Sequence, residues 1–382
     1  MESNKIFEAA TVKEKEKVSF RNVMRVAGAV IAFLIGSGFA SGQEVFQFLT
    51  VYGYRGIFGS LIAMFLCCCV SGILMSFGYR TRNNPKASPY FHYLGKFFGQ
   101  FMTYYTPFFA FLIAIVMISG TGATLNQYFG LDPRVGTVAM TIIITLVALL
   151  GLTRVVDVIS LIGPGLIIFT LSIAFYTLFT NPGNFASADQ LLNSLNDLPY
   201  GAGNSRSYWV LAAVLFVAYN IVAGVPFMVE LGSKEVTSNK EAWLGGIAGG
   251  VGLMSAAFAL NLAMLGHADV LVKAEVPVIT LAQKMSPVVS FLFVIILLAG
   301  IFSTAVPMLL TVKDALINEK TKKSTESILI VVIAVLALIG GQLPFGKLIG
   351  LVYPFTGYFG IAMMLLFIGK EVKERKARQA RR

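Results

Sequence analysis

Long apolar stretches separated by short polar ones dominate this chain of 382 residues. A helix needs about 20 predominantly apolar residues to cross the hydrocarbon core of a bilayer, and most of these stretches reach that length. The pattern predicts an all-α polytopic membrane protein with about ten transmembrane helices, which we number as spans 1 to 10. The predicted spans are 23–51, 56–79, 99–127, 134–152, 155–180, 207–231, 242–266, 288–312, 327–341 and 346–369.

The spans divide into two sets of five. The longest polar stretch between spans, 181–206, separates a first half at 21–180 from a second half at 207–370. Because each half has an odd number of spans, the second half must enter the membrane from the opposite face. This arithmetic is typical of an inverted-topology repeat, in which corresponding helices of the two halves share a structural role.

The distribution of charge predicts the orientation. Of the 30 Lys and Arg residues, 24 fall on the side that holds both chain ends, including the segment 1–20 and the basic tail 371–382. The positive-inside rule therefore places both termini in the cytoplasm, with the connection 181–206 outside. Residues 1–20 lack the pattern of a cleaved signal peptide.

Composition excludes several functions. Charged residues make up 13% of the chain and hydrophobic residues 56%, whereas average soluble chains carry about 25% charged residues. The sequence has no phosphate-binding loop, zinc-protease motif or paired catalytic acids, so we expect neither an enzyme nor a resident cofactor. The net charge of +11 reflects orientation in the bilayer rather than binding of nucleic acid.

Span 1 carries polar residues where a membrane helix should be apolar. Its centre reads GSGFASGQE at 36–44, with three glycines, two serines, a glutamine and Glu44. Glycine in a helix interior costs about 1 kcal/mol relative to alanine, and an intramembrane acid costs more. Irregular backbone at this depth is tolerated only where it lines a cavity or is buried in protein. The sequence predicts a break here and a solute-binding site beside it.

Span 6, the first span of the second half, is also predicted to break. It contains Gly224 and Pro226, and the proline cannot donate a hydrogen bond to the carbonyl of Val222. The residues next to this predicted break, Tyr219 and Asn220, are candidate polar contacts for a solute. Interrupted helices at corresponding positions of two repeats indicate a transporter binding site.

A break in span 1 offers two binding surfaces. The amides of Gly36, Ser37 and Gly38 face the gap at the positive end of the following half-helix, where a carboxylate is the natural guest. The carbonyls of Ala32 and Ile35, at the end of the preceding half-helix, favour a cation. A zwitterion, or a carboxylate that travels with Na⁺, would fit both.

Two acidic or hydroxylated elements complete the candidate site. Glu44, with Ser41 nearby, could bind an amino group, carry a proton or pair with a basic residue such as Arg55. Span 8 places Ser303 and Thr304 on one helical face with Gly300, where their oxygens are possible ligands for an alkali cation. The alternative is that both hydroxyls bond to carbonyls one turn earlier.

These features together resemble the LeuT fold of the amino acid–polyamine–organocation superfamily. More narrowly, the run IGSGFASGQE at 35–44 is similar to the signature of the YkvI group of bacterial membrane proteins, which are often described as amino acid permeases. The resemblance implies a Na⁺ site formed by the carbonyls of Ala32, Ile35 and Gly300 and the hydroxyls of Ser303 and Thr304.

The resemblance also implies that the amides at 36–38 hold the substrate carboxylate. Two departures bear on ion coupling. Phe39 stands where related transporters place an asparagine for a second sodium ion, and span 5 lacks the lysine that replaces sodium in some proton-coupled relatives.

We therefore expect a secondary transporter with alternating access for a small amino acid or related carboxylate, driven by Na⁺. Two alternatives stay open. One is a proton-coupled permease, and the other is a membrane sensor or accessory protein that uses the same pocket without net transport.

Overall fold

The computed structural model describes residues 18–84, 86–150, 156–195, 206–318 and 320–380. Residues 1–17 of the predicted N-terminal segment and 196–205 of the predicted connection lie outside these ranges. The described residues form α-helices, two short 3₁₀ turns and no strand. The helices are α1 (Phe20–Leu34), α2 (Ser37–Ser41), α3 (Gln43–Phe48), α4 (Tyr54–Thr81), α5 (Pro89–Phe129), α6 (Pro133–Leu150), α7 (Val156–Thr180), α8 (Phe185–Ser194), α9 (Trp209–Lys234), α10 (Asn239–Leu265), α11 (Ala268–Leu271), α12 (Pro277–Met285), α13 (Pro287–Leu316), α14 (Lys323–Gly340) and α15 (Phe345–Ala380).

Nine of the described helices are long and apolar enough to cross a membrane. They are α4, α5, α6, α7, α9, α10, α13, α14 and α15, and they correspond to predicted spans 2 to 10. Predicted span 1 is the interrupted series α1, α2 and α3. The prediction of an all-α membrane fold is therefore confirmed, and α15 continues well beyond the predicted end of span 10.

Helix packing brings corresponding spans together. Helix α4 packs along α9 and α10, α1 packs along α10, and α5 packs along α13. Spans 2 and 7, and spans 3 and 8, are thus neighbours across the predicted repeat. Small residues permit the close approach. Gly246 of α10 is so near α4 that an added methyl group would lie 2.7 Å from the backbone of Gly72.

The predicted break in span 6 is wrong. Helix α9 runs without interruption from Trp209 to Lys234, with Pro226 inside it. A proline removes one backbone hydrogen bond but does not by itself unwind a well-packed helix. Gly224 serves a different purpose, because a methyl group there would lie 3.1 Å from Leu34, at the end of α1. The glycine lets α9 approach the break in span 1.

The two sides of that break differ in burial. Every residue of α2 and α3 is buried, as are Thr50, Val51 and Tyr52 after them. Helix α1 buries only one face, against α10, and leaves Met24 51% and Phe33 39% exposed. The half of span 1 that follows the break is enclosed by protein, whereas the half that precedes it is covered on one side only.

Candidate functional site

The predicted break in span 1 is confirmed. Helix α1 ends at Leu34, and the amide of Ile35 makes a last helical bond to the carbonyl of Ile31 at 2.8 Å. Gly36 is extended, with φ −80° and ψ 178°, and α2 begins at Ser37. A second interruption follows at Gly42, whose φ of 84° lies in the left-handed region that favours glycine.

This backbone leaves polar groups without helical partners. The amide of Ala40 is the first in α2 to bond back, to the carbonyl of Gly36 at 3.1 Å. The amides of Ser37, Gly38 and Phe39 precede it, at the positive end of the half-helix. Carbonyls from Ala32 onward lie beyond the last helical bond of α1. The backbone groups that the sequence predicts for the two surfaces therefore both lie at the break.

Glu44 folds back over the break. Its side chain is buried, and the hydroxyl of Tyr219 donates to Oε2 at 2.6 Å. The hydroxyl of Tyr353 in α15 also hydrogen-bonds to this carboxylate. The two tyrosine rings stack with their centroids 4.5 Å apart. A methyl group built on Gly38 would overlap Oε1 of Glu44, so the carboxylate lies directly against the interrupted backbone.

The carboxylate of Glu44 has no basic partner among the described residues. Glu44 takes part in none of the salt bridges formed by the described residues, and Arg55, the predicted basic partner, is exposed. That pairing is excluded in this conformation. Burying an ionised carboxylate without a counter-charge is costly. The geometry therefore suits either a protonated carboxyl or a site that receives a cationic group.

Of the remaining predicted substrate residues, one lies in the break and two bond to the backbone of their own segment. Ser37 lies in the break, and its hydroxyl donates to Sδ of Met117 in α5 at 2.7 Å. Ser41 instead completes the local backbone, since its hydroxyl donates to the carbonyl of Gly38 at 2.6 Å and accepts from the Gln43 amide at 3.2 Å. Asn220 donates to the carbonyl of Phe216 in its own helix at 2.8 Å.

The proposed cation ligands of span 8 lie against the break. A methyl group on Gly36 would be 3.8 Å from Oγ1 of Thr304, and one on Gly300 would be 3.7 Å from Cβ of Ser37. The hydroxyls of Ser303 and Thr304 both donate to the carbonyl of Gly300, at 2.8 and 3.0 Å. This is the back-bonded arrangement that the sequence left as an alternative. Each hydroxyl oxygen keeps lone pairs that can face a cation.

Helix α12 covers the break, and α11 connects α12 to the end of α10. Val278 and Pro277 of α12 would lie 2.8 and 3.3 Å from a methyl group on Gly42. Gln127 at the end of α5 fastens this cover, because its amide group donates to the carbonyl of Val276 and to Thr280, at 2.9 and 3.1 Å. We call the segment 268–285 the lid.

Sequence reasoning missed three residues of this site. Tyr353 has no local signal, because an isolated tyrosine in a span usually marks the membrane interface. Gln43 and Gln47 are fully buried, and the described residues provide no hydrogen-bond partner for either side-chain polar atom of Gln43 or for Oε1 of Gln47. Two glutamines inside a membrane span are themselves a usable signal.

Across the described part of the chain, no group of three or more His, Cys, Asp or Glu residues could hold a metal ion. The donors around the break are one carboxylate, hydroxyls, a thioether and backbone groups.

Comparison with known proteins identifies distant relatives. No family model matches the sequence. The uncharacterized membrane protein YkvI of Bacillus subtilis (strain 168) is 23% identical over 354 residues, which cover 92% of this chain and 97% of that protein. The uncharacterized protein YyaD of the same organism is 22% identical over 339 residues, covering 89% and 94%.

Solved structures show the same architecture in a transporter. The Eremococcus coleocola manganese transporter, in complex with an aromatic bis-isothiourea substituted compound, superposes with a TM-score of 0.55 at 15% identity, covering 92% of this chain and 79% of that one. A histidine-to-alanine mutant of the transporter gives a TM-score of 0.51 at 14% identity, covering 94% and 80%. The chain thus shares the fold of a membrane transporter and is similar in sequence to uncharacterized bacterial membrane proteins.

Proposed function

We propose that this protein is a secondary active transporter that carries a small amino acid or related carboxylate by alternating access. The observation that carries the proposal is the interruption of span 1 beside the buried carboxylate of Glu44. Free amides at 37–39 would bind the substrate carboxylate, and Glu44 would accept its ammonium group. An amino acid supplies both charges at the spacing of one carbon atom.

The substrate would resolve the electrostatic problem of burying the Glu44 carboxylate. Glu44 is buried without a cation among the described residues, and two tyrosines orient its oxygens. An ammonium group provides the missing counter-charge, and in a water-excluded site such a pair is strong. In the empty protein a proton on Glu44 serves the same purpose.

Burial around the break supports alternating access. The lid and the enclosed half of span 1 close one route to the site, whereas α1 is covered on one face only. With the orientation proposed from the charge distribution, this conformation is closed to the outside and α1 is the movable element on the cytoplasmic side. A cytoplasmic membrane with both termini inside is part of the proposal.

We assign the coupling ion as Na⁺, between the carbonyls of Ala32 and Ile35 and the span 8 residues Gly300, Ser303 and Thr304. Contact between span 8 and the break supports this assignment, since Gly300 lies beside Ser37. Coupling to protons is the second candidate, and the buried carboxylate of Glu44 is the specific observation that favours it.

Reconstitution tests the proposal. Proteoliposomes containing the full chain should accumulate labelled amino acids against a gradient when an inward Na⁺ gradient is imposed, and E44A should abolish accumulation. A parallel measurement with a pH gradient distinguishes proton coupling, and labelled Mn²⁺ tests the cargo of the structural neighbour. Saturable ligand binding without flux or counterflow would instead indicate a sensor. The absence of both binding and flux would contradict the proposed site.

A further inference from the structure

Gln43 has an unusual position for a polar side chain. It is 0% exposed, and both its Oε1 and its Nε2 lack a hydrogen-bond partner among the described residues. Gln47 is equally buried, with Nε2 donating to the carbonyl of Gly346 at 2.8 Å and Oε1 unpaired. Buried polar atoms in folded proteins are nearly always paired, so three unpaired atoms in two neighbouring side chains require an explanation.

The two glutamines lie on one face of α3, since residues four apart in a helix share a face. The same short helix carries Glu44, which contacts Tyr353, while Gln47 contacts Gly346. Both partners belong to α15 and are seven residues apart, on one side of that helix. Gln47 also follows Glu44 by three residues, a spacing at which side chains are neighbours on a helix surface, so the unpaired atom of Gln47 lies on the same side of α3 as the carboxylate that we assign to the substrate.

Movement of the lid would give a substrate access to these atoms. Gly42 immediately precedes Gln43, and Val278 and Pro277 of the lid pack directly on it. Withdrawal of the lid would uncover the start of α3. In the closed conformation the amide of Gln43 is enclosed, and none of the described residues forms a hydrogen bond with it.

The unpaired atoms determine which side-chain groups of a substrate can bind there. Gln43 Nε2 is a donor, while Oε1 of Gln43 and Oε1 of Gln47 are acceptors. A hydroxyl or a carboxamide can pair with both kinds of atom. An aliphatic side chain can pair with none, and a site with hydrogen-bonding groups rejects a substrate that leaves them unmatched.

We propose that Gln43 and Gln47 form a subsite for the substrate side chain, and that the substrate is a neutral polar amino acid with a hydroxyl or carboxamide group. This inference rests on the proposed transport function and specifies its substrate class. Acidic side chains are disfavoured because Glu44 is adjacent. Matching the subsite removes the cost of the unpaired atoms, so such a substrate also stabilises the closed conformation.

Binding to the purified full-length protein tests the subsite. Serine, threonine, asparagine and glutamine are compared with alanine, valine and leucine by thermal shift and by competition for uptake. Leaving one buried polar atom unpaired changes an equilibrium by about 5- to 150-fold. We expect the best polar ligand to bind at least about tenfold more tightly than the apolar ones.

The substitution Q43L should reduce that polar-to-apolar ratio to near one, without weakening the apolar ligands. Because it removes two unpaired atoms, it should also raise the melting temperature of the ligand-free protein. Q283L makes the same chemical change on the exposed surface of the lid and serves as the matched control, with the ratio unchanged.

The outcomes separate the two proposals. An unchanged ratio in Q43L, or an equal loss for every ligand, overturns the subsite while leaving transport intact. Absence of any amino acid binding to the wild-type protein overturns the transport proposal and the subsite together. If Q43L and the more conservative Q43M both fail to fold, the amide holds the structure, and the subsite is again overturned.

Discussion

Replacing Gly38 with alanine should disrupt the site through a single methyl group. The added carbon would overlap Oε1 of Glu44 and lie 3.1 Å from its Cδ and 3.3 Å from the hydroxyl of Tyr353. The carboxylate must therefore move, which breaks its 2.6 Å hydrogen bond from Tyr219. Overpacking costs about 1–3 kcal/mol, and a hydrogen bond to a protonated, neutral carboxyl contributes about 0.5–1.5 kcal/mol.

Helix propensity opposes these losses only in part. Alanine is favoured over glycine by about 1 kcal/mol in a helix, so the net destabilisation should be about 2 kcal/mol. That corresponds to about a 30-fold loss in substrate affinity if the whole effect falls on the bound state. Thermal unfolding in detergent and ligand titration of G38A measure the two consequences separately.

A double-mutant cycle isolates the contact. In the background of E44A the methyl group at Gly38 meets no carboxylate, so G38A should then cost little, and the two changes should be strongly non-additive. G28A is the control on the same span, because a methyl group on Gly28 has no neighbour within 4 Å. Additive effects of G38A and E44A, or equal effects of G38A and G28A, would refute the placement of Glu44 over the break.

Three further outcomes follow from the same contacts. Y219F removes a donor to Glu44 and should weaken substrate binding by about 10- to 100-fold in a titration, whereas an unchanged Kd would separate Glu44 from binding. S303A/T304A should abolish the sodium dependence of uptake. The melting temperature should change little, because both hydroxyls bond to the carbonyl of Gly300 in their own helix. Uptake that keeps the original sodium dependence would contradict the proposed ion site. Q127L deletes three hydrogen bonds to the lid, including those to the residue before α12, and it should speed amide exchange in α12 by about 30-fold. Equal exchange would show that the lid is held by other contacts.

The break in span 1 could be predicted because its causes are local. Glycines at 36, 38 and 42 fall close together in an apolar run. Gly36 is the extended residue before α2, Gly38 makes room for the Glu44 carboxylate, and Gly42 has the positive φ that separates α2 from α3. Glu44 could be placed near the gap by counting residues. The sequence could not show that Glu44 pairs with Tyr219 and Tyr353. Both tyrosines belong to distant spans and reach the carboxylate only through helix packing.

Span 6 shows the limit of the same reasoning. Gly224 and Pro226 weaken a helix, but whether it breaks depends on the packing around it, and α9 is buried along most of its length. The glycine accommodates Leu34 rather than a break. The transport proposal therefore depends on one interrupted span together with the shared fold, not on two matched interruptions.

The lack of hydrogen-bond partners for Gln43 also could not be predicted from the sequence. A glutamine in a membrane span indicates a polar contact, but only the packed structure shows that none of the described groups provides it. The neighbouring Ser41 illustrates the opposite outcome, because its hydroxyl is satisfied by the local backbone. Residue type alone does not distinguish a binding side chain from a capping one.

The central claim is that an amino acid binds at the break with its ammonium group on Glu44. Counterflow of labelled amino acids in proteoliposomes tests it most directly, because exchange requires a working binding site but no ion gradient. The account predicts saturable exchange in the wild-type protein and its loss in both E44A and G38A, with G28A unaffected. Exchange that persists in E44A, or that is absent from the wild-type protein for every amino acid, would contradict it.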